Sequence, residues 1–466
     1  MTTTSPTEER GEAGGAFSPA YRLVTVSVLA LVTIIGFESM GVSTVMPEVA
    51  HDLDAVRSYG LAFSVMLTAQ LLGIVLAGVW VDRSGAFVPL IAGQFLLAIG
   101  LVLCGAALRL EMLLAGRALA GLGAGLLIVV SFVVIGRIYP PRVQPRPFGL
   151  ISAAWVLPAL LGPPGAAWIA GHLSWRWVFW IVVGPIVVIA LLLLARSHLI
   201  GAAGQAVSSR DHAAHVRAAG LGLAIALAAG AVQLGTHELE PVLSPKTGLA
   251  IIGVIGMAVT APLLLPAGTW LMRRGLPSVM LARFLSSWSF LGTVTFLPLY
   301  LVNERGLSIG VAGTMLAIGS LGWAAGSLIQ SSSRWDGRRE LLVSVGGLGL
   351  SAGVIGHALA AWLTLPVPLF PVLLVVMGLG MGLATSTSSV LTLALSSAAE
   401  HGQASTSLNL ADVLGSVTAI AAGGAVFAAL HVAAGQDATV FALIWTIVAV
   451  GAVLLVIAGR RIRSRG

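Results

Sequence analysis

Residues 88–108 read VPLIAGQFLLAIGLVLCGAAL, a run of 21 residues without a charged side chain. A helix of about 20 apolar residues is long enough to cross the roughly 30 Å hydrocarbon core of a bilayer. Helices can do this repeatedly because they satisfy their own backbone hydrogen bonds. Similar runs recur from Tyr21 to Gly466, separated by short loops that carry arginine. The sequence therefore predicts an all-α polytopic membrane protein.

The composition of the whole chain agrees with this prediction. Hydrophobic residues make up 57% and charged residues 9%, whereas soluble domains contain about 25% charged residues. Most of the 57 glycines lie inside the apolar runs, where small residues let membrane helices approach closely. Cys104 is the only cysteine, which excludes an intramolecular disulfide and any multi-cysteine metal site.

Fourteen apolar segments are predicted to be transmembrane helices. They lie at 22–47, 58–81, 88–108, 112–136, 148–170, 176–195, 218–236, 248–267, 277–302, 308–330, 341–361, 367–393, 406–430 and 438–458. A polar stretch from Arg196 to Arg217 separates the first six from the others. Residues 1–20 lack the apolar core of a signal peptide and are expected to form a cytosolic tail.

The distribution of basic residues predicts the orientation of these helices. With the N-terminus placed inside, the inner segments carry eighteen of the 25 Lys and Arg residues and the outer segments carry five, while Arg117 and Arg283 lie within helices. Cytoplasmic loops of membrane proteins carry an excess of Lys and Arg. Removing one helix would invert every later loop. An even number of crossings is therefore predicted, with both termini cytoplasmic.

Two pairs of similar segments indicate an internal repeat. GVSTVMP at 41–47 resembles GTVTFLP at 292–298, and GLGAG at 121–125 resembles GLGMG at 378–382. The offsets of 251 and 257 residues are close enough to indicate one duplication, although glycine is common in membrane helices and the similarity could arise by chance. Repeated halves with a site at their interface are typical of transporters.

The repeat predicts two six-helix bundles with two inserted central helices. The expected segments are a cytosolic tail at 1–20, an N-terminal bundle at 21–196, a cytoplasmic linker at 197–217, two inserted helices at 218–276, a C-terminal bundle at 277–459 and a basic cytosolic tail at 460–466.

Three motifs carry a family resemblance. GVWVDRSG at 78–85 resembles the G-x-x-x-D-[RK]-x-G loop of the major facilitator superfamily. RALAGLGAG at 117–125 is similar to the R-x-x-x-G motif in the fourth helix of that family, and GPPG at 162–165 resembles its antiporter signature in the fifth helix. With two extra central helices, the resemblance extends to the fourteen-helix drug:proton antiporter branch. It implies alternating access of two helical halves.

The chain departs from the family pattern at several positions. Residues 86–87 are Ala-Phe where the family has basic residues, and Pro158 stands where a glycine is expected. Gln330 replaces the aspartate in the second copy of the loop motif. The first helix carries Glu38 but lacks the D-x-T-[IV]-V-N pattern of the antiporter branch. These departures leave the direction of transport open.

Glu38 is the main candidate for proton coupling. It lies near the middle of the first predicted helix, among Ile34, Ile35 and Met40, and an ionisable group inside a membrane is a functional candidate by default. Burial favours a protonated carboxyl and a nearby cation favours the ionised form, so such a group can exchange a proton for a cationic substrate. The alternative is a carboxyl held by hydrogen bonds between helices or facing water.

Arg117 and Asp412 are the other two candidates for proton coupling. The family resemblance assigns the position of Arg117 to coupling, while a structural ion pair or a clamp on backbone carbonyls remains the alternative. Asp412 lies one or two turns inside the thirteenth predicted helix. It is either a second titrating site near the cavity or part of a hydrated helix end.

The loop motif and the proline-containing motif are candidates for conformational roles. By resemblance, Gly78, Asp82, Arg83 and Gly85 form a cytoplasmic latch that breaks when the transporter changes state; a loop that only sets topology is the alternative. In the fifth helix, the motif residues are Gly162, Pro163 and Gly165. Proline interrupts helical hydrogen bonding, which suits a bend at a gate but is weak support alone.

Several side chains could line a substrate cavity. Aromatic rings bind lipophilic and cationic ligands. The tryptophans within predicted helices include Trp155, Trp168, Trp288 and Trp323, and Phe37 and Asn409 also lie within predicted helices. Roles in packing or in contact with lipid are equally open for these residues.

The sequence excludes several functional classes. A Walker A loop requires Gly-Lys-Ser/Thr, but the only lysine, Lys246, follows Pro245, so the chain has no ATPase site of its own. Nothing resembles the carbonyl filter of a potassium channel. No soluble stretch is long enough for a catalytic domain, so an enzyme is not expected. Neither a metal site, a cofactor nor a nucleic acid partner is predicted.

The favoured function is a proton-coupled exporter of lipophilic or cationic small molecules, driven by the proton gradient. It is expected to be a monomer in the inner or plasma membrane, with substrate, protons and membrane lipids as partners. Alternatives are an exporter of a lipid or dedicated metabolite, a proton-coupled importer of a small solute, and a transport-inactive receptor or scaffold.

Overall fold

The chain is helical throughout the part that the structure describes. This computed structural model describes residues 17–19, 21–139, 147, 150, 154–195, 197, 212–236, 245–335, 337–396 and 401–462. These residues form sixteen α-helices and two short 3₁₀ helices, and none forms a strand. The α-helices are α1 Arg22–Asp52, α2 Tyr59–Ser84, α3 Phe87–Gly105, α4 Leu110–Ile138, α5 Val156–His172, α6 Trp175–Trp180, α7 Val183–Ala195, α8 His212–Thr236, α9 Pro245–Leu264, α10 Leu276–Val294, α11 Leu297–Asn303, α12 Ile309–Gln330, α13 Arg339–Trp362, α14 Leu369–Ala394, α15 His401–Leu430 and α16 Ala438–Arg461.

Twelve helical segments of the described residues are long and apolar enough to cross a membrane. Helices also lie at the two other predicted positions, but α5 has 17 residues and the apolar part of α8 is Gly220–Val232. The chain is therefore a multi-pass membrane protein, whereas the count of fourteen crossings and the cytoplasmic placement of both termini are not confirmed. The predicted tails at 1–20 and 460–466 and the linker at 197–217 lie mostly outside the described residues.

The predicted helix at 277–302 is divided in two. Helix α10 ends at Val294 and α11 begins at Leu297. Pro298 is the reason, because it has no N–H to donate and is tolerated only in the first turn of a helix. Both parts remain within one apolar segment that is long enough to span a membrane.

Glycines bring α4 close to its neighbours in the first half. A Cβ on Gly121 would collide with the carbonyl oxygen of Met66, and a Cβ on Gly125 with that of Gln70, both on α2. Between them, Gly123 faces α3, where a Cβ would lie 2.6 Å from the carbonyl oxygen of Gly93. The motif of small residues therefore fixes α4 against two helices at once.

The second copy of the glycine motif does the same in the second half. Gly378 and Gly382 of α14 lie against the carbonyl oxygens of Gly319 and Trp323 on α12. Gly380 between them faces α13. Thus α2, α3 and α4 correspond to α12, α13 and α14, and the two copies found in the sequence occupy matching positions in the fold.

The two halves meet along two helix pairs. Helix α2 packs on α15, and α5 packs on α12. Near one end of these pairs lies a set of contacts that we call the junction contact. It consists of the hydrogen bond between His51 Nε2 and Asn303 Oδ1 at 2.9 Å, the hydrogen bond from Tyr59 Oη to the carbonyl of Thr295 at 3.0 Å, and the close approach of Gly60 to Gly424. The junction contact holds the halves together where α1 ends and α2 begins.

The inserted helices cover one of these pairs. Helix α8 packs on α9, on α2 and on α15. Its buried residues Ile225 and Ala229 join a hydrophobic cluster with Ile74 of α2 and Leu414 of α15. The insert therefore touches both halves along the α2–α15 pair.

Candidate functional site

A buried ion pair joins α1 to α4. The Nη1 atom of Arg117 donates to Oε1 of Glu38, and the side chains are 3% and 1% exposed. The Nε atom of Arg117 donates to the carbonyl of Ala62 on α2 at 3.1 Å. Its guanidinium carbon lies 5.9 Å from the ring centroid of Phe63. Two residues that the sequence separates by 79 positions thus meet, with α2 as a third support.

One oxygen of Glu38 remains without a partner. Its Oε2 atom is buried and accepts no hydrogen bond from the described residues. A carboxylate is an acceptor at both oxygens, and it becomes a donor when protonated. Arg117 therefore compensates the charge through Oε1 while Oε2 is available for a proton. A proton there would neutralise Glu38 and weaken its attraction to Arg117.

A second ion pair lies in the other half. The Nε atom of Arg283 on α10 donates to Oδ1 of Asp412 on α15 at 2.7 Å, and Ser287 Oγ donates to the same oxygen. The Nη1 atom of Arg283 donates to the carbonyl of Thr385 on α14 at 3.1 Å. Arg283 is 17% and Asp412 32% exposed. Asp412 is thus held by an arginine and a serine, and this pair is more open than the pair of Glu38.

Arg283 and Ser287 were missed as site residues by the sequence analysis. Arg283 lies inside a predicted helix, as Arg117 does. Because an unpaired charge in a membrane is costly, Arg283 is a candidate functional residue for the same reason. Its partner could not be found from spacing, because Asp412 lies 129 positions away. In the described part of the chain, neither Glu38 nor Arg117 forms a hydrogen bond to this second pair.

The loop motif ends α2 with a glycine turn. Gly85 has φ 74°, a left-handed backbone that favours glycine, and its N–H donates to the carbonyl of Val81 at 2.9 Å. Arg83 is exposed, and apart from the backbone of its own helix no atom of the described residues lies within 4 Å of where a Cβ on Gly78 would be. The side chain of Asp82 lies outside the described residues, so the proposed latch pairing stays a prediction.

The proline motif lies where the halves cross. Pro163 lies inside α5 and its carbonyl oxygen is 3.0 Å from where a Cβ on Gly313 of α12 would be. Gly162 faces Met40 of α1. The third motif residue, Gly165, faces the ring of Phe37. The motif therefore lets α1, α5 and α12 approach closely at the contact between the halves.

A narrow cavity lies between the two halves beside this crossing. Its lining comes from both halves and is mostly apolar. It is formed by Met40, Ser43, Pro163, Phe290, Val294, Leu316, Gly319, Ser320, Trp323 and Leu374. A mostly apolar cleft with a few polar groups is typical of a site for small molecules.

Phe37 and Trp155 lie in the contact between α1 and α5. The ring of Phe37 packs on α5 at Gly162 and Gly165, and Trp155 packs against Gly36 of α1. The same two helices contribute Met40 and Pro163 to the lining of the cavity.

Trp288 and Asn409 occupy the C-terminal half. The indole of Trp288 packs on Gly451 of α16 and stacks on Phe284 with ring centroids 6.2 Å apart. Asn409 donates to the carbonyl of Ser405 on its own helix at 3.0 Å. Neither contributes to the lining of the cavity, and the cavity role of all four residues stays a prediction.

Metal ligands do not cluster in the described residues. No group of three His, Cys, Asp or Glu side chains there could hold a metal ion. The chemistry that the described ion pairs offer is the binding of protons and of polar groups.

Comparisons with known proteins identify the family of this chain. The sequence profile of the Major Facilitator Superfamily matches residues 28–419. An uncharacterized MFS-type transporter of Mycobacterium tuberculosis is 27% identical over 346 residues, which cover 71% of this chain and 48% of that protein. Multidrug transporter protein MdtP of Bacillus subtilis is 25% identical over 281 residues, 59% of this chain and 51% of its own length. The chain thus spans about half the length of these curated relatives.

Solved structures share the fold over almost the whole chain. A POT family transporter in complex with 5-aminolevulinic acid has a TM-score of 0.72 at 16% identity, covering 94% of this chain and 96% of that one. A bacterial homologue of the human lysosomal transporter Spinster, inward-facing and occupied, has a TM-score of 0.64 at 16% identity, covering 95% and 96%. At these identities the likeness concerns the fold alone. With the sequence profile extending over most of its length, the chain belongs to the Major Facilitator Superfamily.

Proposed function

We propose that this protein is a proton-coupled exporter that moves lipophilic or cationic small molecules by alternating access. The observation that carries the proposal is the buried pair of Glu38 and Arg117, with one carboxylate oxygen free for a proton. The similarity to multidrug transporters supports export. One of them, the multidrug efflux pump SdrM of Staphylococcus aureus, is 27% identical over 172 residues, which cover 36% of this chain and 38% of that protein.

The proposed protein crosses the membrane fourteen times and has both termini in the cytoplasm. It is proposed to be a monomer in the plasma membrane. The excess of arginine on one set of loops supports the orientation. The close contact of α8 with both halves supports the view that the inserted helices belong to the folded transporter. The bundles at 21–196 and 277–459 are proposed to rock about the cavity.

In the coupling step, a proton binds Oε2 of Glu38 from one side of the membrane and loosens its ion pair with Arg117. Arg117 keeps its bond to the carbonyl of Ala62, so α4 remains tied to α2 while α1 is released. Substrate binding favours release of the proton to the opposite side of the membrane. Exchange follows because the same carboxyl cannot hold the proton and the full ion pair at once.

The test is proton release from acid-loaded everted vesicles when a panel of lipophilic compounds, cations among them, is added. We expect the wild type to dissipate the gradient and Glu38→Gln to lose this response, because glutamine cannot exchange a proton. Glu48→Gln is the matched control, since it makes the same change about three turns further along α1 and is expected to keep the response. A response that survives Glu38→Gln would remove Glu38 from the mechanism.

Silence of the wild type across the panel would favour a different cargo. The dehydrocurvularin exporter of Alternaria cinerariae is 33% identical over 210 residues, 41% of this chain and 33% of that protein, which favours a dedicated metabolite as the second candidate. Proton uptake together with substrate would instead indicate an importer.

Alternating access also predicts that the junction contact must open during transport. With Cys104 replaced by serine, the double variant His51→Cys/Asn303→Cys can be bridged by a short bis-maleimide, because these side chains are in direct contact. We expect bridging to abolish substrate-induced proton release, whereas each single cysteine treated in the same way keeps it. Full activity of the bridged protein would show that this end of the molecule does not open.

A further inference from the structure

A group of polar residues lies at the contact of three helices in the C-terminal half of this apolar protein. We call it the polar groove and define it by Arg283 and Ser287 of α10, Thr385 of α14, and Asn409 and Asp412 of α15. Asn409 and Asp412 are three residues apart and so share one face of α15. Three helices thus direct polar groups to one place about two to three turns from the nearest ends of α10 and α14.

In the part of the chain that the structure describes, the ion pair of the polar groove leaves one acceptor atom and one donor atom without a hydrogen bond. Oδ1 of Asp412 accepts from Arg283 Nε and Ser287 Oγ, while Nη1 of Arg283 donates to the carbonyl of Thr385. Among the described residues, Oδ2 of Asp412 and Nη2 of Arg283 have no hydrogen-bond partner. The pair therefore presents one unused acceptor beside one unused donor.

The exposure of this pair distinguishes it from the pair in the N-terminal half. Glu38 and Arg117 are 1% and 3% exposed, so a ligand cannot reach them in this conformation. Asp412 and Arg283 are 32% and 17% exposed. Two ion pairs with different accessibility allow a division of roles, in which the sealed pair exchanges protons and the open pair meets the ligand.

The charge of the polar groove limits what it can bind. Asp412 and Arg283 together carry no net charge, and both already use part of their hydrogen-bonding capacity on each other. A ligand with one net charge would leave an uncompensated charge within an apolar protein, which is unfavourable. A head group with one donor and one acceptor satisfies both unused atoms without adding charge.

We propose that the polar groove is a substrate-binding subsite for head groups of zero net charge that offer a donor beside an acceptor, such as a zwitterion or a carboxamide. The inference rests on the proposed function as an exporter and narrows its substrates to molecules with an apolar body and such a head group. Oδ2 of Asp412 accepts from the donor of the ligand, and Nη2 of Arg283 donates to its acceptor.

The test uses four probes that share a naphthyl body and differ in charge: naphthylalanine, naphthylacetamide, naphthylethylammonium and naphthylacetate. Their binding to the purified full-length protein is measured by titration calorimetry, without a proton gradient. We expect the zwitterion and the amide to bind at least about tenfold more tightly than the singly charged probes, because a charge that is left unpaired or placed beside a like charge is costly.

Two substitutions should change the preference in opposite directions. Asp412→Asn leaves Arg283 unpaired and is expected to make naphthylacetate the tightest probe. Arg283→Gln leaves Asp412 unpaired and is expected to favour naphthylethylammonium. The control Arg334→Gln removes an exposed arginine and should keep the wild-type ranking. If a single variant does not fold, the double variant Arg283→Gln/Asp412→Asn, which has no net charge in the groove, must keep the neutral and zwitterionic preference.

Several results would overturn the proposal. Absence of binding of both net-neutral probes to the wild type is one, and an unchanged ranking in both single variants is another. Glu38→Gln should retain the ranking, because Glu38 does not touch the polar groove. A retained ranking together with proton release that is indifferent to Glu38 would reject the proposed coupling while leaving this subsite in place.

Discussion

Replacing Arg117 with methionine is expected to destabilise the folded protein by about 3–5 kcal/mol, the usual effect of removing one partner of a buried ion pair. Glu38 would be left 1% exposed without its cation, and the carbonyl of Ala62 would lose the hydrogen bond from Arg117 Nε. Methionine fills a similar volume, so loss of packing should contribute little. The measurement is the unfolding midpoint of the purified protein in a mild detergent.

The double variant Glu38→Gln/Arg117→Met separates charge from packing. Because it removes the unpaired carboxylate as well, it should recover most of the lost stability while remaining inactive in proton release. Arg109→Met is the control in the same part of the chain, since Arg109 is 81% exposed and pairs only loosely with Glu111. A surface pair of this kind contributes little. Equal losses from Arg109→Met and Arg117→Met would contradict the role of the buried pair.

Gly121→Ala is expected to weaken the packing of α4 on α2 by about 1–3 kcal/mol or more, the range for overpacking a tight contact. The added Cβ would meet the carbonyl oxygen of Met66, which is backbone and cannot turn aside. Gly378→Ala should behave in the same way, because its Cβ would meet the carbonyl oxygen of Gly319. The yield of monodisperse protein and its unfolding midpoint report the effect.

Gly230→Ala provides the control, in the middle of α8. Apart from the backbone of its own helix, no atom of the described residues lies within 4 Å of where its Cβ would be, and alanine is a better helix former than glycine. We therefore expect no loss of stability there. If Gly121→Ala and Gly378→Ala were as well tolerated as Gly230→Ala, the close helix crossings would not stabilise the two halves.

Residue patterns along the chain predicted the parts of the fold that depend on local physical chemistry. Apolar runs long enough for a bilayer marked the positions of the helices, and the glycine motifs at 121–125 and 378–382 marked matching crossings in the two halves. The count of membrane crossings was harder to predict. It depends on short or irregular segments such as α5 and α8, whose apolar parts do not by themselves reach the length of a span.

The candidate site was predicted only in part. Glu38 and Arg117 stood out separately because each is an ionisable residue within an apolar run, but nothing in their spacing indicated that they pair. Asp412 stood out for the same reason, whereas its partner Arg283 was passed over. The lining of the cavity includes Trp323, one of the tryptophans considered for it from sequence, but not Phe37, Trp155, Trp288 or Asn409, because the face that a helix turns inward depends on its neighbours.

The sequence by itself determined that this protein is a helical membrane protein with repeated motifs and a few costly charges inside its helices. These properties depend on residue type and short-range spacing, because the thickness of the bilayer sets the length of an apolar run and the lack of water in it requires a helix. The tertiary structure alone decided which charges meet, that one ion pair is sealed and the other open, and where the halves touch. Those features join residues separated by 79, 129 and 252 positions, and only the packing of whole helices brings such residues together.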